Sequence, residues 1–450
     1  MSTTLRQRAS SPAAKGVAEK AQVAREVEEK EIAEGQRFIV PNYTVKQLLD
    51  AIPAHCFHRS ALRSSVYIVQ DFAAIGLCAY LALNMDSLLL SKFNLSPAMY
   101  TTAKVALWSL YTFVVGLFGT GIWIIGHECG HQAFSSSKTI NNTVGWVLHS
   151  IVLVPYHAWR ISHGRHHAAT GHLTRDEVFV PKTRKMKGIP EVKEEGEVQG
   201  INISALRQSE LREAIEESPL ATLINAILQQ LFGFPSYLIR NAAGQKHYPK
   251  GTNHFNPGAI IFKPQHYWQI IASNIGILAN FATLAFWSYK RSFAEVTVMF
   301  IVPYLWVNHW LVFITYLQHT DPILPHYSAN KWTFARGALC TIDRNLMGFV
   351  GPHIMHGICE THVSHHISSK IPHYNAWEAT EALKTFLGPH YIATNESMFV
   401  SFWRSFRECI FIEDNEDIVF YKNYAGVAQK IAVEENGNVS DSGVDMTESK

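Results

Sequence analysis

"VALWSLYTFVVGLFGTGIWIIGHECGH", residues 105–131, carries the reading that decides the fold. Residues 105–126 contain no charged side chain and exceed the roughly 20 apolar residues that a bilayer crossing requires. The segment runs straight into His127, Glu128 and His131. A membrane span therefore ends on two imidazoles placed one helical turn apart. The box spells H-E-x-x-H, which zinc proteases use with the glutamate as general base. The spelling alone does not choose a metal.

Working outward, residues 268–289 and 296–318 read as two more spans, separated by the short "KRSFAE". Residues 66–84 make a fourth, with Asp71 near its start placed at the interface. Residues 143–155 are apolar but too short to cross. Residues 219–239 are long enough but carry Asn225, Gln229, Gln230 and Pro235. Two more histidine groups, "HGRHH" (163–167) and "HVSHH" (362–366), follow apolar stretches. If all three groups share one site, they must emerge on one side, so residues 143–155 and 219–239 lie along the interface or dock on the protein.

The expected fold is thus all-α and integral to the membrane. Two transmembrane hairpins, four spans, carry a helical cap that holds a histidine-rich two-metal site. Long Lys/Arg-containing segments put the cap and both termini in the cytosol, although Lys290 and Arg291 in the opposite turn run against this. Residues 1–37 and 425–450 read as polar tails around a domain of residues 38–424.

Composition agrees. Charged residues are 17%, apolar residues 47% and the net charge +2, which gives no footprint for nucleic acid. The six cysteines form no CxxC pair, which argues against a zinc knuckle or disulfide scaffold. The polar N-terminus lacks the apolar core of a cleaved signal peptide.

His127/His131, His163/His166/His167 and His362/His365/His366 each use helical spacings that bring side chains onto one face, about 5–6 Å apart at Cβ. A catalytic zinc takes three protein ligands. Eight box histidines overfill one zinc and suit two metals with open positions. Imidazole accepts iron, copper, nickel or zinc, so ligand type leaves the metal open. His319, just past the last span, is a ninth candidate, since ionisable groups at a span end are functional by default. His309, deeper in that span, reads as a helix–helix hydrogen-bonding residue. Carboxylates that would orient imidazoles from behind are Glu128, Asp176 and Glu360, with Asp321 and Asp343 also near.

The three boxes, with "HECGHQAFSSSKTINNTVGWVLHS", "VPYHAWRISHGRHHAATGH", "YLQHTDPILPHY" and "ETHVSHHISSKIPHYNAWEATEAL" around them, resemble the membrane fatty acid desaturase family, in its fungal-type Δ12 (oleate) branch. The resemblance implies that the eight box histidines ligate two irons, with His319 as ninth ligand. It implies an O2-dependent cis double bond made in oleoyl chains carried on a phospholipid, with electrons from cytochrome b5 and its reductase in the endoplasmic reticulum membrane. No HPGG heme signature is present, so cytochrome b5 is expected as a separate protein. In acyl-CoA relatives an asparagine one turn before the ninth histidine reaches a metal through water; here that position is Thr315. Most Δ12 members have alanine before the first box, whereas this chain has Gly126, making it a product-tuning candidate.

Alternatives are an ω3/Δ15 or bifunctional Δ12/Δ15 desaturase, a hydroxylase or acetylenase of the family, and, outside it, a zinc protease or metal transporter. Regioselectivity on a plain chain must come from an apolar tunnel. Trp108, Tyr111, Trp123, Trp306 and Trp310 are its candidate aromatics.

Overall fold

The computed structural model describes residues 36–189 and 218–434. Most of both expected tails lies outside these residues.

The first hairpin pairs α1 (Ala61–Leu83) with α2 (Pro97–Gly130). Ser60 and Ser96 start them, each side chain accepting a backbone N–H three residues on. Pro97 fills the first position of α2, where its missing N–H costs nothing. α2 has 34 residues, so it is about 50 Å long against a hydrocarbon core of about 30 Å. The surplus lets it lift His127 and His131 beyond the apolar layer. After the hairpin come α3 (Lys138–Ile151), α4 (Tyr156–Ala169) and, further along the chain, α5 (Pro219–Arg240). The second hairpin joins α6 (Tyr267–Lys290) to a helix that starts at Phe293, passes through a π-helical stretch at Thr297–Ile301 and continues as α7 (Val302–His319). Arg291 in the turn pairs with Glu295 at 3.2 Å.

Among the described residues, four helices are long and apolar enough to cross a membrane: Ala61–Leu83, Pro97–Gly130, Pro264–Lys290 and Phe293–His319. α3 and α5 are not among them. This is the two-hairpin arrangement expected from the histidine parity.

Close approach between the hairpins depends on Gly116: a Cβ there would fall 2.2 Å from Cβ of Trp306 on α7. Asp71 departs from expectation. It is not at the interface but fully buried, its Oδ2 2.9 Å from His356 Nε2. A buried carboxylate needs such a partner.

The cap contains α8 (His362–Ile367), α9 (His373–Leu387) and α10 (Met398–Glu408). Short parallel pairing joins Arg37–Ile39 to Ile431–Val433, so residues expected to begin the C-terminal tail instead close the cap against the N-terminal segment. Three consecutive apolar residues, Ile431–Val433, are too short a run for the compositional reading to single out. The largest core cluster sits where α2, α3, α4, α5 and α7 meet, and includes Trp123, Leu148, Trp159, Phe234 and Ile314.

Candidate metal centre

The boxes arrive on helix ends. The last turn of α2 supplies His127, and His131 caps it. α4 carries His163, His166 and His167; α7 ends on His319; α8 is built from the third box. His127, His131, His163, His167 and His365 offer nitrogens within 4.8 Å of one another, and His166, His319 and His366 form a second such group. His362 joins the second through a 3.1 Å Nε2–Nε2 approach to His319. The groups abut where His167 and His366 stack, with ring centroids 4.0 Å apart. All nine sequence candidates therefore converge on one locus.

The donor set fits cations. Burial holds His131, His163, His167, His362 and His366 well below the ordinary histidine range, with neighbouring imidazoles adding to the effect. Burial likewise brings His365 down to about 3. Neutral rings keep a lone pair free. His163 and His167 face each other through Nε2 at 3.1 Å, and His166 and His319 at 3.3 Å. Nε2 of His131, His365 and His366 is buried with no protein partner. Converging, unprotonated and unpartnered nitrogens are what two imidazole-bound metals require.

Groups behind the rings fix their orientation. Asp176 Oδ1 lies 2.7 Å from His166 Nδ1, and its Oδ2 accepts the Gly171 N–H. The Thr170 hydroxyl donates to the His166 carbonyl and therefore accepts from His366 Nδ1 at 3.1 Å, which leaves His366 Nε2 unprotonated. Glu128 is buried between His127 and His373: it accepts the His373 backbone N–H at 3.0 Å and lies 3.7 Å from His127 Nδ1. Asp343 accepts the Val363 N–H at 2.8 Å and the Tyr391 hydroxyl, bracing α8. Glu360 is placed differently from expectation. Its Oε1 accepts the Leu346 N–H at 2.9 Å and closes a loop rather than facing an imidazole. Asp321 pairs with the buried Arg344 at 2.5 Å.

Gly126 has a concrete reason. A Cβ there would lie 2.2 Å from Cδ2 of His149. The His149 ring stacks on Trp123 (5.6 Å, 13°), which in turn stacks on His127 (5.5 Å, 26°). His149, which lies outside the three boxes, thus reaches the first box through one aromatic.

A cavity of about 710 Å³ borders the centre at His127, His163, His166, His319 and His362. Its walls come from α4, α5, α7 and the segments around Phe179 and Phe406. Phe179 stacks on His319 at 5.1 Å with a positive φ of 57°, a strained backbone of the sort found beside functional sites.

The sequence model of the fatty acid desaturase family matches residues 105–397. The chain belongs to that family. It is similar to the Delta(12) fatty acid desaturase of Mortierella alpina, 47% identical over 86% of this chain and 92% of that protein. The Delta(12) fatty acid desaturase of Mortierella isabellina is 46% identical over the same shares. An oleate hydroxylase of Claviceps purpurea is 40% identical over 86% of this chain and 83% of that protein. The molecule is a membrane fatty acid desaturase, an oxidoreductase.

Of the five aromatics expected along a tunnel, Trp123 alone lines this desaturase's cavity. Trp306 and Trp310 pack against Phe113, and Trp108 meets Tyr111 edge-on at 5.4 Å in a separate cluster. Spans hold many aromatics, and composition does not say which face is inward. His309 packs against Trp310 of its own helix at 4.8 Å rather than bonding to a neighbour. Thr315 lines the cavity, but its hydroxyl donates to the Leu311 carbonyl. Thr170, His149, His373 and Phe179 escaped the sequence reading; Thr170 alone had a signal, lying one helical turn after His166.

Proposed function

We propose that this desaturase converts oleoyl chains to linoleoyl chains by inserting a cis Δ12 double bond, with O2 as co-substrate. The observation that carries the reading is nine converging imidazoles, five of which border a cavity, in a chain nearly half identical to Delta(12) desaturases. His127, His131, His163, His166, His167, His319, His362, His365 and His366 hold two iron ions. Those ions, when bound, supply the oxidising power that an unactivated methylene pair demands. The balance per turnover is one O2, two electrons and two protons consumed, with two carbon-bound hydrogens removed and two waters released. Cytochrome b5 and its reductase, as separate proteins, supply the electrons. The working domain runs from residue 37 to residue 433, where the strand pairing closes it, and lies in the endoplasmic reticulum membrane with the boxes and both termini cytosolic.

The chain's own groups position and exclude. Asp176 and Thr170 fix the rings of His166 and His366, and Glu128 and His373 brace the first box. Trp123, Trp159, Phe179 and Leu311 line the cavity beside the histidines, keep water from the reacting carbons and align the chain. The carrier is a phospholipid.

Expression in a yeast that makes only monounsaturated fatty acids, followed by gas chromatography, tests this. Linoleate is expected, and none from His365→Ala. A hydroxylated product would favour the second reading, oleate hydroxylation, which the Claviceps relative motivates.

A further inference from the structure

α5 carries a stripe of polar and small residues on the side that borders the cavity. Thr222, Asn225, Gln229 and Gly233 recur at helical spacing and all line the cavity. Leu220, Leu223, Ile227 and Phe232 on the other side are exposed. An amphipathic helix of a water-soluble protein does the reverse. Beside four spans, an exposed apolar side suits contact with lipid, and Asn225, at the surface, and Gln229, partly buried, both border the cavity. No hydrogen bond among the described residues engages the Asn225 or Gln229 carboxamide.

The stripe leads to the centre. The Tyr237 hydroxyl donates to Ser162 Oγ at 3.1 Å, next to His163, and Phe234 packs in the cluster that holds Trp123 and Trp159. Asn225 precedes Phe234 by about 13 Å of helix, a reach suited to the carbons between an acyl carbonyl and a mid-chain bond. Between them Gly233 has no side chain, and a Cβ there would lie 3.3 Å from both Val312 methyls, so glycine leaves the passage its room.

We propose that this face of α5 binds the polar end of the substrate: the Asn225 and Gln229 carboxamides donate to the acyl ester carbonyl of a membrane glycerolipid, whose chain runs past Gly233 to the histidines. The lipid-facing outer side of α5 selects a glycerolipid that enters from the bilayer. This rests on the desaturase reading above and adds the subsite that holds the head of the chain.

The test uses full-length protein in vesicles containing oleoyl phosphatidylcholine with a photoreactive diazirine beside the ester. Illumination is expected to label the peptide covering residues 219–240, and Asn225→Leu/Gln229→Leu to lose most of that label. With unmodified oleoyl phosphatidylcholine, the double variant should raise the apparent KM roughly tenfold or more while kcat at saturation and bound iron stay near wild type. Leu228→Ala, on the lipid side, should leave KM unchanged. Absence of label on this peptide, or an unchanged KM in the double variant, overturns the proposal. So does oleoyl-CoA displacing the label more effectively than oleoyl phosphatidylcholine. Labelling needs no turnover, so a wild-type enzyme that makes no linoleate defeats the Δ12 reading without touching this one.

Discussion

His149 fills the space that a side chain at position 126 would need, and its ring is held on three sides by Trp123, Tyr156 and Trp159. Gly126→Ala therefore overpacks a site with no slack, at a cost of about 1–3 kcal/mol. Lower thermal stability and lower desaturation are expected together, since the displaced His149 pushes on Trp123 at the cavity wall. Gly126→Ala/His149→Ala should recover part of both, a coupling read from a double-mutant cycle. Strict additivity would mean that the ring does not enforce the glycine. Other buried histidines make stability depend on pH. Burial takes His254 and His326 to about 4, so both are neutral in the folded protein at neutral pH. Unfolded, they titrate near the ordinary 6.5 or so. As pH falls from there toward 4, the unfolded chain binds protons that the folded one refuses, and stability is lost through that window. Thermal unfolding in detergent at about pH 7.5 and about pH 5 should show the drop, and His326→Gln should make it shallower. An equal slope in that variant would acquit His326. At this scale the sequence exposed the ligand candidates, because box spacing repeats. It did not expose His149 or Phe179, whose roles come from neighbours distant in the chain.

Helix ends, rather than helix middles, make this centre, and that regularity explains which elements were legible. Four spans could be read because each is a long apolar run, and requiring the boxes to share a side removed α3 and α5 from the count. What stayed hidden was the direction in which α5 faces: Asn225 and Gln229 read as spoilers of a span, and they are the wall of a cavity. Likewise the pairing of Arg37–Ile39 with Ile431–Val433 joins segments too short and too far apart for local pattern to reveal. α8 is the most dependent element. It has six residues, three of them box histidines, and too few turns to stand alone. Asp343 anchors it through the Val363 N–H and the Tyr391 hydroxyl. Asp343→Ala leaves that buried N–H unpaired, at a cost on the order of 1–3 kcal/mol, and should release the third box. Bound metal per chain, measured by mass spectrometry after purification, should fall steeply in Asp343→Ala and less in Tyr391→Phe. Full metal content in both variants would show that α8 holds without this anchor.

Across the whole molecule, α2, α4, α7 and α8 meet at a locus lined by neutral imidazoles, several of whose nitrogens find no protein partner. Burying such groups unsatisfied is unfavourable, so the assembled cap should depend on what the histidines bind. The membrane hairpins should not, because their contacts are apolar and include the approach at Gly116. One tie is independent of metal: Arg344 is almost fully buried, donating to Asp321, to the Leu317 carbonyl and to Ser401, which fastens the end of α7 to α10. Removing metal with a strong chelator should therefore loosen the cap unevenly. Amide hydrogen exchange is expected to rise in α4 and α8, stay low around Arg344 and remain unchanged in α1 and α6, with iron restoring protection in a concentration-dependent way. Uniform loosening would mean that cap and hairpins unfold as one unit. Exchange that is identical with and without metal would mean that protein contacts alone pre-form the centre, leaving the unpartnered nitrogens without an energetic role.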